Sequence, residues 1–254
     1  MKNQINIPDE LFRLKVKELA EEVRIKFAKK GLSDIFDILS ETAFLIRKPL
    51  KADNLSGFIT YYEDHFIVYL NSNFTLGHER YTGAHELYHI IYNEDILKKE
   101  KVFIDKGKYK EEERKADVFA AEFLMPEDYV KEIFYKMVNV GPDQIQPKHI
   151  VRMQNYFKVS YTAMLKRLIQ LKLCSSNLYY QLREIASLDN KDKLQTLTRE
   201  EGYNIDLIVP SKVTYVPKEY LVYVKANYEN GKITYRELKK TLEFIGLTPE
   251  ELGY

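Results

Sequence analysis

Two histidines four residues apart, His85 and His89, lie in a stretch whose apolar side chains recur at helical spacing from about residue 75 to 92. Residues i and i+4 of an α-helix leave the same face one turn apart, so His85-Glu86-Leu87-Tyr88-His89 reads as a helix that presents two imidazoles to one point. Zinc takes imidazole nitrogens at roughly 2.0–2.1 Å, which that spacing allows. Glu86, beside the first histidine, is placed to accept a proton from an attacking water and return it to a leaving amine. The bland alternative is a surface helix carrying two solvated histidines and a glutamate.

A zinc site open to substrate needs a third protein ligand. Cys174 is the only cysteine, which excludes an internal disulfide and leaves histidines and carboxylates to hold a metal. Residues 110–124 predict a second helix, stopped near Met125 and Pro126. On it Glu113 and Asp117 share a face, so Glu113 is the candidate third ligand and Asp117 the acceptor for the free ring nitrogen of a ligand histidine. Another acidic residue one turn away is the alternative to Glu113. Glu111 and Glu112 read as a solvated helix start, and Ala116, Ala120 and Ala121 are small enough for this helix to approach the histidine helix closely.

Around these two helices the pattern predicts an α+β fold, mainly helical. Residues 8–30 predict an amphipathic helix with Leu11, Leu14, Leu19, Val23 and Phe27 on one face, opened by Pro8 and Asp9. Residues 33–46 predict a second helix. The runs 57–62 and 65–70, parted only by Glu63 and Asp64, predict a hairpin, so a small antiparallel sheet should pack beside the histidine helix. A polar segment over 93–101 closes that helix. Helices over 128–138, 147–157 and 161–173 make the C-terminal half mostly helical. A composition shift near 175 divides residues 1–174 from an extension, 175–254, in which a helix over 234–245 is the clearest element.

The 39 basic and 38 acidic side chains nearly cancel, so there is no overall field to attract nucleic acid. No stretch approaches the roughly 20 apolar residues of a membrane span, and the first residues lack an apolar signal core. The expectation is a soluble, cytoplasmic protein.

The pentapeptide His85 to His89, together with Glu113 to Pro126, resembles the ImmA/IrrE family of metallo-endopeptidases, a gluzincin-type branch of the zinc proteases. The second segment is similar to that family's E-x-x-A-[ND]-x-F-A-x-x-x-L-M-P pattern, and the order and separation also match. Tyr156 to Ser160 with Ala163, Arg167 and Leu168 is similar to the helix pair that follows. The resemblance covers about residues 35–175. It implies His85, His89 and Glu113 as zinc ligands, Glu86 as catalytic base and Asp117 as the partner of a ligand. It also implies a regulatory endopeptidase whose protein substrate is a helix-turn-helix repressor. Some relatives carry an N-terminal helix-turn-helix domain, whereas residues 1–30 here read as one helix, so the repressor is expected to be a separate chain.

The rival reading is a non-proteolytic binding module, DNA-associated or part of a toxin–antitoxin pair, with a structural zinc. Residues 150–173, with Arg152, Lys158, Lys166 and Arg167, have the rhythm of a DNA-binding helix pair, as do residues 231–252. His65, His78 and His149 are candidate oxyanion donors; structural roles are the ordinary alternative, as they are for Tyr88 and Tyr92.

Overall fold

Asp9 starts the first helix: its carboxylate accepts the backbone N–H groups of Leu11 and Phe12, which a helix start leaves unpaired. A computed structural model of the chain describes residues 9–100 and 109–254; Pro8 and Lys101, assigned above to a helix start and a polar segment, lie outside the described residues. Helix α1 (Glu10–Ala28) buries Val16, Ala20, Val23 and Phe27, an i, i+4, i+7, i+11 stripe. Asp34 caps α2 (Ile35–Thr42) through the N–H of Phe36 and pairs with Arg80.

The helix predicted over 33–46 ends at Thr42, and the chain turns at once into strand β1 (Phe44–Lys48). Strands β2 (Gly57–Tyr62) and β3 (His65–Asn71) form the predicted antiparallel hairpin, turning at Glu63 and Asp64, both with positive φ, as a tight two-residue turn of this hand requires. The sheet is therefore mixed, in the order β1-β3-β2, and β1 runs parallel to β3 from Phe44 opposite Ile67 to Lys48 opposite Asn71. Leu45, Ile59, Val68 and Leu70 are buried on one face, the period-2 signature of a half-buried sheet.

Helix α3 (Leu76–Tyr92) begins at Thr75, whose hydroxyl accepts the N–H of His78. Two glycines let it settle. A Cβ on Gly77 would lie 2.5 Å from the backbone nitrogen of Ser160, and one on Gly57 would lie 2.7 Å from the Thr82 methyl. The polar segment that follows contains a short helix, α4 (Glu94–Glu100), because Leu97 finds a buried site. Helix α5 (Lys110–Leu124) packs against both α1 and α3.

One apolar core joins α1, α2, the sheet, α3 and the near face of α5. A second gathers α6 (Glu127–Met137), α7 (Pro147–Phe157), α8 (Tyr161–Gln170), α9 (Ser176–Arg183) and α10 (Lys191–Glu200). This second core is continuous across residue 175: Leu165, Leu173, Tyr179, Leu194 and Ile208 belong to one cluster. Between the cores Arg167 and Glu122, each 1 % exposed, pair at 2.5 and 2.9 Å, with Arg13 at 3.2 Å. The charge of Arg167 is thus spent inside the protein, where Met125 O takes its Nε–H. α11 (Lys218–Glu229) and α12 (Tyr235–Glu243) close a small third cluster around Val224, Leu238 and Leu242.

Residues 209–215 run back across the first turn of α3 and the outer edge of β1. The N–H of Leu76 bonds Val209 O, and Arg47 and Tyr215 exchange both backbone hydrogen bonds. The fully buried carboxylate of Glu79 takes Arg47 at 2.7 and 3.1 Å and the Ser211 hydroxyl at 2.9 Å. An anion at a helix start is favoured by the dipole, and these three donors satisfy it in a dry setting.

Candidate metal centre

Helices α3 and α5 are joined by two polar rungs. Tyr81 donates to the backbone oxygen of Asp117, and Tyr88 donates to Glu112 Oε2, each at 2.8 Å. Ala116, between the rungs, and Ala120, one turn beyond it, are fully buried in the core shared with α3, so small side chains line part of the contact between the helices. Ala121 faces the second core instead. The pairing brings Glu113 over the histidine face of α3.

There Glu113 Oε2 lies 3.2 Å from His85 Nε2, Glu113 Oε1 lies 3.3 Å from His89 Nε2, and the two imidazole nitrogens are 3.3 Å apart. Donors bound tetrahedrally at roughly 2.0–2.1 Å from one ion stand about 3.3–3.4 Å from each other, so the three separations fit a metal ion. Among the described residues these three form the one group of His, Cys, Asp or Glu near enough to share one. The set is imidazole and carboxylate, suited to zinc and to other divalent ions alike.

Each histidine is held from behind. His85 Nδ1 lies 3.1 Å from Asp117 Oδ1, as the i, i+4 relation of Glu113 and Asp117 predicts. His89 Nδ1 lies 2.8 Å from Asn93 Oδ1, a contact the sequence reading misses. Asn93 is the C-terminal cap of α3, its side-chain amide donates to Glu112 Oε2 at 2.8 Å, and Lys115 donates to the other oxygen of Glu112 at 2.7 Å. Glu112 is therefore a partly buried acceptor at the helix start, with three donors, in place of the solvated residue predicted. The available signal was Asn93 at i+4 from His89, one turn further along the same helix face.

The local field favours a cation. Burial opposes charge on His85, but hydrogen bonds to Asp117 and Glu113 and the field of Glu86 outweigh it and push the imidazole up to about 10. Burial likewise opposes ionisation of Glu113, and contacts with His85 and His89 overcome it, drawing the carboxyl down to about 2. Glu86, 7 % exposed, goes the other way: burial raises its pKa, and the negative charge of Glu113 adds to this against the pull of the two histidines. A carboxylate with a raised pKa is a better proton acceptor near neutrality.

The remaining histidines have structural partners. His78 bonds Ser56 Oγ at 2.8 Å and stacks on Phe74, His65 stacks on Phe44, and His149 Nδ1 accepts the N–H of Gln146 at the start of α7. Tyr88 and Tyr92 pack on Phe119, and the Tyr88 hydroxyl is engaged by Glu112.

No curated protein matches the chain. The family model Peptidase_M78, the IrrE N-terminal-like domain, matches residues 42–169, from the end of α2 to α8, and so spans half of the chain and the whole histidine–carboxylate group. The chain belongs to the Peptidase_M78 family, and its function is in general terms that of a metallopeptidase.

Proposed function

We propose that the chain is a zinc-dependent endopeptidase that hydrolyses a peptide bond in a partner protein, a separate helix-turn-helix repressor, and so acts as a regulatory switch. The observation that carries the enzymatic part is the convergence of His85, His89 and Glu113 at 3.2–3.3 Å, with buried Glu86 on the same helix. The repressor substrate is supported by the ImmA/IrrE resemblance described above.

His85, His89 and Glu113 would hold the ion through Nε2, Nε2 and the carboxylate. Zinc so bound supplies Lewis acidity to the scissile carbonyl and makes water a stronger acid. Glu86 takes the proton of the attacking water on its carboxylate and delivers it to the leaving amine nitrogen. Asp117 keeps His85 turned with Nε2 inward.

The test is cleavage of a repressor encoded beside the chain, followed by gel and mass spectrometry, for the wild type and Glu86→Gln. Retained zinc with cleavage slowed about 10²–10⁴-fold supports the reading. Unchanged regulation by Glu86→Gln, with the repressor intact, would overturn it in favour of a binding module with a structural metal.

A further inference from the structure

A carboxylate can only accept hydrogen bonds, an amide offers one end of each kind, and a neutral imidazole carries its proton on one nitrogen or the other. Applied in turn, these facts give the chain Glu112–Asn93–His89 a direction. Glu112 takes Tyr88 at 2.8 Å and Lys115 at 2.7 Å, so the Asn93 group 2.8 Å from it must be the NH₂. The Asn93 oxygen is then left facing His89 Nδ1 at 2.8 Å, and Nδ1 must bear the hydrogen. A neutral ring has one proton for two acceptors, Asn93 Oδ1 at 2.8 Å and Glu113 Oε1 at 3.3 Å; the shorter contact holds it on Nδ1, and Nε2 keeps its lone pair.

We propose that Asn93, oriented by Glu112, is the positioning residue that sets the tautomer and ring direction of His89 and holds its Nε2 open for the metal. The inference rests on the metal-centre reading above for its consequence, but not for its geometry. Asn93 is itself well anchored: its N–H closes the last turn of α3 on His89 O at 3.0 Å, and its carbonyl takes the N–H groups of Ile96 and Leu97 at 3.0 Å. With Asn93 at 4 % exposure and His89 at 1 %, little water is present to replace the amide. The arrangement at His85 differs, since the Asp117 side chain is 68 % exposed. Asn93 therefore contributes the less replaceable of the two outer contacts.

The experiment uses the full chain in two states. With zinc chelated, at mildly alkaline pH, ¹⁵N ring correlations of His89 should report the Nδ1–H tautomer in the wild type and a rising share of Nε2–H in Asn93→Leu. Zinc affinity, measured by chelator competition, should fall about 10–100-fold in the same variant. Glu112→Leu, which leaves the backbone cap alone, should act in the same direction and replaces Asn93→Leu if that variant does not fold. The double variant Asn93→Asp with Glu112→Gln reverses the bond between positions 93 and 112 while still offering His89 an oxygen, and should restore both signals. Retention of the Nδ1–H tautomer and of zinc affinity in Asn93→Leu or Glu112→Leu overturns the proposal. A wild type that shows the tautomer lock but binds no zinc would uphold the lock and overturn the metal-centre reading.

Discussion

Asp117 Oδ1 lies 3.1 Å from His85 Nδ1, one turn along α5 from the carboxylate that meets the other nitrogen of the same ring. The ring is gripped at both ends by one helix, although Asp117 itself faces solvent. Asp117→Ala should therefore weaken zinc binding by about tenfold, the lower end of what outer partners of ligand histidines contribute, because water can take its place. Chelator competition checks this. A loss as large as that of Glu113→Ala would mean that Asp117 is itself a ligand.

Glu127 makes the fold sensitive to acid. Burial opposes its ionisation, but hydrogen bonds from Lys131 and Arg13 prevail and lower its pKa to about 2. A pKa lower in the folded state than in the unfolded one contributes stability that is complete above the unfolded value, here near 4.5, and is lost as pH falls toward 2. Glu127→Gln should destabilise the protein by about 1–2 kcal/mol at pH 7, after allowance for solvent screening of Lys131, and by less than half of that at about pH 3. Urea titrations of both forms at the two pH values measure the difference; an equal gap at both would rule out the carboxylate as its source.

Gly77 seats the first turn of α3 on the turn between α7 and α8. A methyl there would press on the backbone of Val159 and Ser160, at 2.6 and 2.5 Å, where no side chain can rotate away. Gly77→Ala should cost about 1–3 kcal/mol from overpacking, read as a lower denaturation midpoint. Full stability would mean that α3 and α8 can separate freely.

Removing the charge of Arg167 leaves the buried Glu122 with Arg13 and the more distant charge of Arg24, without its two-point partner. Arg167→Met should destabilise by about 3–5 kcal/mol, whereas Arg167→Met with Glu122→Met should recover much of the loss, since an apolar pair does not need the solvation that a buried charge forfeits. A double-mutant cycle in urea gives the coupling. Additive losses would show that the two charges do not act as a pair.

The mainly helical α+β class, the helices α3 and α5 and the spacing of His85, Glu86, His89, Glu113 and Asp117 were legible in the sequence, because period, caps and i, i+4 relations are set within one or two helical turns of chain. The same holds for the β2–β3 hairpin, whose two-residue turn is local. Tertiary structure alone decided the rest. β1 was hidden at the end of a predicted helix because its partner, β3, lies some twenty residues further on and a parallel pair leaves no turn between its strands. Glu112 looked solvated until α5 met α3 and gave it Tyr88 and Asn93. Glu79 found Arg47 and Ser211 only when three distant segments came together. A side chain's periodicity can be read from its neighbours in sequence; the partner that satisfies its charge or its hydrogen bond is chosen by packing between elements, which chain order does not encode locally.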